Sequence, residues 1–246
     1  MGTAEASSTR RVLLAYPHLP ANQLVGFQHM MPLFPGRHAL MPPLRLLTFA
    51  GALPSDWPVR LVDENVRPIT DEDLAWADVV AVSGMHPQRR AITDLVERAN
   101  AAGALTVLGG PSVSACPEYY PQAHALHVGE LGDATTALLA WLARTPSPPA
   151  RQRVFKTVER TPIEDVPLPA LSLVEVSTYF TMPLQFSVGC PYACEFCDIP
   201  VIYGRRPRAK SPDRVLRELQ AIYDTGHVGA VVFVDDNLIA RKHDLD

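Results

Sequence analysis

The chain has 246 residues and a formal net charge of -4; 47% of its residues are hydrophobic and 20% are charged. This balance is typical of a globular protein of one or two domains. The charge gives no electrostatic reason to expect nucleic acid or an anionic membrane as a partner. The sequence contains no run of about 18 apolar residues, so no membrane span is predicted. Residues 1–10 lack the apolar core of a signal peptide, and we expect a disordered lead-in there.

Residues 11–144 alternate between short apolar runs and segments of helical periodicity. The apolar runs predict five strands, at residues 12–16, 59–62, 79–83, 105–108 and 125–128. Helices are expected over residues 44–53 and 89–101, and around Leu138, Leu139 and Leu142. This alternation predicts an α/β fold with a doubly wound parallel sheet, in which ligands bind beyond the carboxyl ends of the strands.

Residues 145–183 form a proline-rich linker in which residues 154–158 have the pattern of an edge strand. A second domain is expected from residue 184, with its first strand at residues 184–188 and its second at 231–234. Between them, Ser211 and Pro212 predict the start of a helix. Its apolar face is expected to hold Val215, Leu216, Leu219, Ile222 and Tyr223.

Three of the four cysteines, Cys190, Cys194 and Cys197, are spaced C-x3-C-x2-C after Gly189. Three thiolates so close together can hold one metal ion or one iron–sulfur cluster, with one coordination position left open. A closed zinc site is the alternative, but it needs a fourth ligand, and Cys116 lies 74 residues before Cys190. Clustered thiols without a disulfide framework favour a reducing, cytoplasmic location.

The cysteine spacing, with Phe196 just before the third cysteine, resembles the radical S-adenosylmethionine (SAM) enzymes. The resemblance implies that the three cysteines bind a 4Fe-4S cluster whose open iron binds SAM. It further implies SAM-binding roles for Tyr192, Phe196, Asp235 and Asp236. The basic stretch 203–210 is either a solvated loop or a support for the charge of a carboxylate or of the cluster.

Residues 11–144 resemble the cobalamin-binding domain that precedes the radical SAM core in one large subfamily. The resemblance assigns cobalamin-binding positions to Ser83, Gly84, Gly109, Gly110, Gly129 and Glu130. Ordinary turn chemistry is the alternative for these glycines. Around His18 the chain lacks the aspartate and the glycine of the Asp-x-His-x-x-Gly signature. We therefore expect cobalamin to bind with no histidine on cobalt.

The whole pattern is similar to the hopanoid methylase type of cobalamin-dependent radical SAM protein. What this implies is methyl transfer to an unactivated carbon of a small or lipid-like substrate, through a 5′-deoxyadenosyl radical and methylcobalamin. A reductant such as flavodoxin or ferredoxin would be a partner. A non-catalytic cobalamin- and cluster-binding fragment and a non-methylating radical SAM enzyme remain alternatives. No catalytic acid or base is assignable.

Residues 184–246 are expected to form only the first part of a barrel, because they supply two strands and one helix before a further helix that begins near Arg241. We therefore expect this 246-residue chain to bind cobalamin and a labile cluster without turning over.

Overall fold

The structure, a computed structural model, describes residues 9–20 and 33–239. Most of the lead-in expected at residues 1–10 lies outside the described residues, as does the helix expected near Arg241.

The larger half of the chain is built on one parallel sheet of six strands in the order β2-β1-β3-β4-β5-β6. The strands are β1 (Val12–Tyr16), β2 (Val59–Asp63), β3 (Val79–Ser83), β4 (Leu105–Gly109), β5 (Ala125–Val128) and β6 (Arg153–Lys156). The five predicted strands are confirmed to within one residue. The pattern at 154–158 is β6, which lies in the expected linker but pairs with β5, so the sheet continues past residue 144.

Helices cover both faces of this sheet, which confirms the doubly wound α/β fold. They are α1 (Leu44–Gly51), α2 (Asp71–Trp76), α3 (Arg89–Ala101), α4 (Pro111–Ala115) and α5 (Asp133–Arg144). Alternate strand residues point to opposite faces. In β1, Leu13 and Ala15 therefore pack with α2 and α3, whereas Val12 and Leu14 pack with α1 and α5.

The second half begins with β7 (Thr181–Leu184), which pairs in parallel with β10 (Ala230–Phe233). Two short strands, β8 (Ser187–Val188) and β9 (Arg208–Ala209), form a separate antiparallel pair. The remaining helices are α6 (Ile199–Ile202) and α7 (Pro212–Asp224). Leu47 of α1 is buried with Met182 of β7 and Ile222 of α7, so α1 packs against both halves.

The prediction of one strand over residues 184–188 is wrong. The apolar run crosses two strands, because β7 ends at Leu184 and β8 begins at Ser187. Where the run breaks, the backbone N–H groups of Phe186, before β8, and of Ser187, its first residue, donate to the carboxylate of Asp235.

The predicted apolar face of α7 is also wrong in part. Ser211 caps the helix as expected, with its hydroxyl accepting from the Arg214 N–H at 3.2 Å. However, Leu216 and Tyr223 are 61% and 74% exposed. The buried row is Arg214, Glu218 and Ile222, because Lys210 and Arg214 form ion pairs with Glu218 beneath the helix.

Within the described ranges, no helix combines the length and the apolar character that a membrane crossing requires.

Candidate functional site

A large cavity lies between the two halves of the chain, at the carboxyl ends of β3, β4 and β5. Its empty volume, which includes space open to solvent, is about 1190 Å³. The second half contributes Gln185, Val188, Tyr203, Arg208 and Lys210 to its wall.

Five of the six predicted cobalamin-binding positions line this cavity: Ser83, Gly109, Gly110, Gly129 and Glu130. Gly84 does not line it. A Cβ on Gly84 would lie 3.0 Å from Ile92 Cδ1 and 3.1 Å from Gln88 Oε1. The position of Gly84 thus reflects close packing against α3 and the turn before it.

Gly110 is where the backbone itself requires glycine. Its φ is +89°, a conformation that side chains disfavour. A Cβ there would lie 2.2 Å from Ser83 Oγ. Ser83 lines the cavity, and among the described residues its hydroxyl has no hydrogen-bond partner. The missing Cβ therefore leaves an unbonded hydroxyl at the cavity wall.

Glu130, in contrast, is bonded within the protein. Arg208 Nη2 donates to its two carboxylate oxygens at 2.7 and 2.9 Å, and Arg160 Nε lies 3.2 Å from Oε1. The carboxylate thus links the end of β5 to β9 of the second half.

Two further cavity residues were missed in the sequence. His127 lies in β5, where its Nε2 is 2.9 Å from Thr135 Oγ1, and burial lowers its pKa. Its only signal was a histidine inside an apolar strand. Arg45 lies over the Tyr203 ring, 4.5 Å from its centroid, and its signal was one charge among the apolar residues of α1.

His18 is exposed and is not part of the cavity wall. Its backbone N–H donates to Glu64 Oε2 at 3.3 Å. The absence of a histidine ligand on cobalt stays a prediction.

The cysteine loop follows β8 and is tied to the segment after α6. Gly189 has a φ of +96°, and the Cys190 N–H donates to the Gly204 carbonyl at 3.2 Å. The three cysteines of the motif are free thiols, and Cys194 is exposed. Over the described part of the chain, no three metal-ligating side chains converge on one point. The donor set, three thiols within eight residues, fits an iron–sulfur cluster with one open iron.

The residues predicted to bind SAM divide into two pairs. Tyr192 and Phe196 are 59% and 93% exposed, so their rings are free for a ligand. Asp235 accepts from the Phe186 N–H at 3.1 Å and from Ser187 Oγ at 2.7 Å. Asp236 accepts from the Gly189 N–H at 3.0 Å, and burial raises its pKa. Both aspartates therefore support the strand and the loop that carry the cysteines.

The chain is similar in sequence to a known family profile and to several known methyltransferases. A profile of the radical SAM superfamily matches residues 184–244. Hopanoid C-2 methylase of Rhodopseudomonas palustris is 48% identical over 100% of this chain and 47% of its own length. An uncharacterised methyltransferase of Synechocystis is 38% identical over 96% of this chain and 43% of its own length. The chain thus spans about half the length of the curated relatives it matches.

A solved structure shares the fold. It is the radical S-adenosylmethionine methyltransferase TsrM from Kitasatospora setae, determined with cobalamin and a 4Fe-4S cluster bound. The TM-score is 0.62 at 14% identity, and the match covers 96% of this chain and 50% of that one.

Proposed function

We propose that this chain, which belongs to the radical SAM superfamily in the branch that contains hopanoid C-2 methylase, carries the cobalamin- and cluster-binding parts of a radical SAM methyltransferase. One observation carries the proposal. The strand-end cavity and the cysteine loop are joined by β8 and β9, so a ligand in the cavity and a cluster on the loop would share one wall.

The cavity is the proposed cobalamin site. Gly109, Gly110 and Gly129 line it at the strand ends, and the Ser83 hydroxyl is free to bond to a ligand there. The cobalamin bound to TsrM, which shares the fold, supports this assignment. Glu130 lines the same wall, although its carboxylate is bonded to arginines.

The loop is the proposed cluster site. Cys190, Cys194 and Cys197 would hold a 4Fe-4S cluster, and Tyr192 and Phe196 would contact SAM at the open iron. Asp235 and Asp236, which accept hydrogen bonds from the strand and the loop that carry the cysteines, would hold the loop in place beside the same ligand. When bound, the cluster and cobalamin would supply the electron that cleaves SAM and the carrier of the methyl group.

The proposed reaction is methyl transfer to an unactivated carbon of a small or lipid-like substrate. The hopanoid substrate of the first relative is the model for this class. A reductant such as flavodoxin or ferredoxin would reduce the cluster.

The test is anaerobic reconstitution of the chain with iron, sulfide, cobalamin and SAM. We expect about four irons per chain and one bound cobalamin. Colourless protein that retains zinc would contradict the proposal. Methyl transfer is then measured with methyl-labelled SAM on a protein that carries a complete barrel. If that protein binds the cofactors but does not cleave SAM, the result would favour a non-catalytic module. If it cleaves SAM without transferring the label, the result would favour a non-methylating enzyme.

A further inference from the structure

Glu130 occupies an unusual position for a residue at a ligand cavity. Its side chain is only 14% exposed, and both carboxylate oxygens accept from Arg208 Nη2, at 2.7 and 2.9 Å. Arg160 Nε approaches one of these oxygens at 3.2 Å. Glu130 lies at the end of β5 in the sheet, whereas both arginines come from later parts of the chain.

The two arginines meet a second time on one backbone carbonyl. Arg160 Nη1 donates to the Tyr203 carbonyl at 3.2 Å, and Arg208 Nη2 donates to it at 3.3 Å. Tyr203 is buried, so this carbonyl belongs to a packed segment. The carboxylate therefore fixes two guanidinium groups, and these fix the backbone at Tyr203.

This backbone segment is hydrogen-bonded to the first cysteine of the motif. The next carbonyl, that of Gly204, accepts from the Cys190 N–H at 3.2 Å. A Cβ on Gly189 would lie 3.0 Å from the same Gly204 oxygen, so the two segments are in close contact. A second route exists as well, because Arg208 pairs with Val188, two residues before Cys190, in the β8–β9 ribbon.

We infer that Glu130 is a positioning residue that holds the cysteine loop against the cavity, and not a contact to the ligand in the cavity. Its negative charge organises Arg160 and Arg208, which hold the segment that bonds to Cys190. The role of the loop in cluster binding rests on the proposed function. The contacts of Glu130 with the two arginines are observed in the structure and do not depend on it. This role differs from the cobalamin contact that the sequence resemblance implies for Glu130.

The experiment measures how firmly the loop is held without any cofactor. In a background with Cys116, Cys194 and Cys197 replaced by Ser, only Cys190 reacts with a thiol reagent. We expect Glu130→Gln to increase the reaction rate of Cys190 about fivefold, the scale of one partly exposed charge pair. Arg208→Gln should give a similar increase. The double variant should react no faster than the faster single variant, because both changes break the same contact.

A matched control removes a charge pair elsewhere. Asp78 pairs with Arg11 at 2.7 Å, at the amino ends of β1 and β3, whereas the cavity lies at the carboxyl ends of the strands. Asp78→Asn should leave the reactivity of Cys190 unchanged, which separates loop positioning from general loss of stability. Arg208→Gln tests the contact from its other side if Glu130→Gln folds poorly.

The loaded protein supplies the second readout. With all four cysteines present, Glu130→Gln should speed iron release to a chelator and alter the electron paramagnetic resonance spectrum of the reduced cluster, while cobalamin affinity changes less than twofold. An unchanged Cys190 reaction rate, or weaker cobalamin binding with normal iron release, would overturn the inference. Failure of the unaltered chain to take up iron would instead contradict the proposed function and leave the labelling result valid.

Discussion

The acidic side chains at the strand ends already make hydrogen bonds and ion pairs within the protein, without a ligand. Asp235 accepts from two backbone N–H groups and a hydroxyl, and Glu130 accepts from two arginines. A carboxylate in this state would lose bonds on turning toward a ligand, and each lost bond to a charged group costs about 1.5–3 kcal/mol. The side chains free to bind a ligand include the Ser83 hydroxyl and the exposed rings of Tyr192 and Phe196.

The cysteine assignment gives a prediction with an internal control. Replacing Cys190, Cys194 or Cys197 by Ala should remove most of the bound iron, because each supplies one of three thiolates to the cluster. Cys116 follows α4 in the sheet half, so Cys116→Ala should retain the full iron content. Iron analysis after anaerobic reconstitution measures both. Equal loss of iron in the Cys116 variant would show that the ligands are wrongly assigned.

Asp73 gives a pH prediction at the start of α2. Its carboxylate accepts from Arg67 Nη1 at 2.6 Å and from the Thr70 N–H at 3.0 Å. The bond from Arg67 lowers the pKa of Asp73 to about 2. A lowered pKa contributes stability that is present above the unfolded value, near pH 4, and is lost as the pH falls toward about 2.

Asp73→Asn should therefore destabilise the protein by about 1 kcal/mol at pH 7, after reduction for solvent screening. The difference from the unaltered chain should shrink between pH 4 and pH 2. Urea unfolding at several pH values measures it. Glu72→Gln is the control, because Glu72 lies in the same turn, is exposed and makes no ion pair among the described residues. A pH-independent difference would contradict the assigned pKa.

Among the connections between elements, the turn from β4 into α4 places a severe restriction on side-chain size, because a Cβ on Gly110 would lie 2.2 Å from Ser83 Oγ. Gly110→Ala should force Ser83 to move and add backbone strain, for a loss of about 2–3 kcal/mol. Gly103 separates the two effects: its φ is +81°, and among the described residues nothing lies within 4 Å of its Cβ position. Gly103→Ala should cost only the strain, about 1 kcal/mol. Urea unfolding compares the two variants, and equal losses would show that the contact with Ser83 yields easily.

The buried row of α7 supports a fourth prediction. Glu218 bonds to Lys210 at 2.6 Å and to Arg214 at 2.9 Å, and all three side chains are less than a tenth exposed. Glu218→Gln leaves two buried cations without a counter-charge and should cost about 3 kcal/mol. Leu216→Ala, on the exposed face of the same helix, should change stability by less than about 0.5 kcal/mol. The free energy of unfolding in urea measures both, and similar values for the two variants would contradict the role of the ion pairs.

The elements that the sequence predicted well are those whose signal is local. β3 and α3 match their predicted bounds, since β3 is an apolar run and α3 has clear helical periodicity. α2 was missed, although the pattern Thr70-x-x-Asp73 is a capping signal. The bond between Glu130 and Arg208 spans 78 residues, so no local pattern could reveal it. The buried face of α7 was predicted wrongly, because the side chains that are buried there are held by ion pairs and not by hydrophobic packing.

For the molecule as a whole, the cavity couples ligand binding to the stability of both halves. Cobalamin at about 100 times its dissociation constant should stabilise the folded chain by about 2.7 kcal/mol. For a chain of this size the midpoint of thermal unfolding should rise by about 5–10 °C. Differential scanning calorimetry measures the shift. Gly103→Ala should retain the rise in the unfolding midpoint that cobalamin causes, whereas Gly110→Ala should reduce it. An equal rise in both variants would show that the ligand binds elsewhere.

The order of the elements along the chain also sets an order of assembly during synthesis. β6, the last strand of the six-stranded sheet, ends at Lys156, and Cys190 follows 34 residues later. A ribosome that adds about 5–20 residues per second needs about 2–7 s for this stretch. The strands under the cavity are therefore translated before the thiols, and Arg208 of the opposite wall comes after both. In a cell, the floor of the cavity would be made first, and its opposite wall would be complete only after the cluster ligands exist.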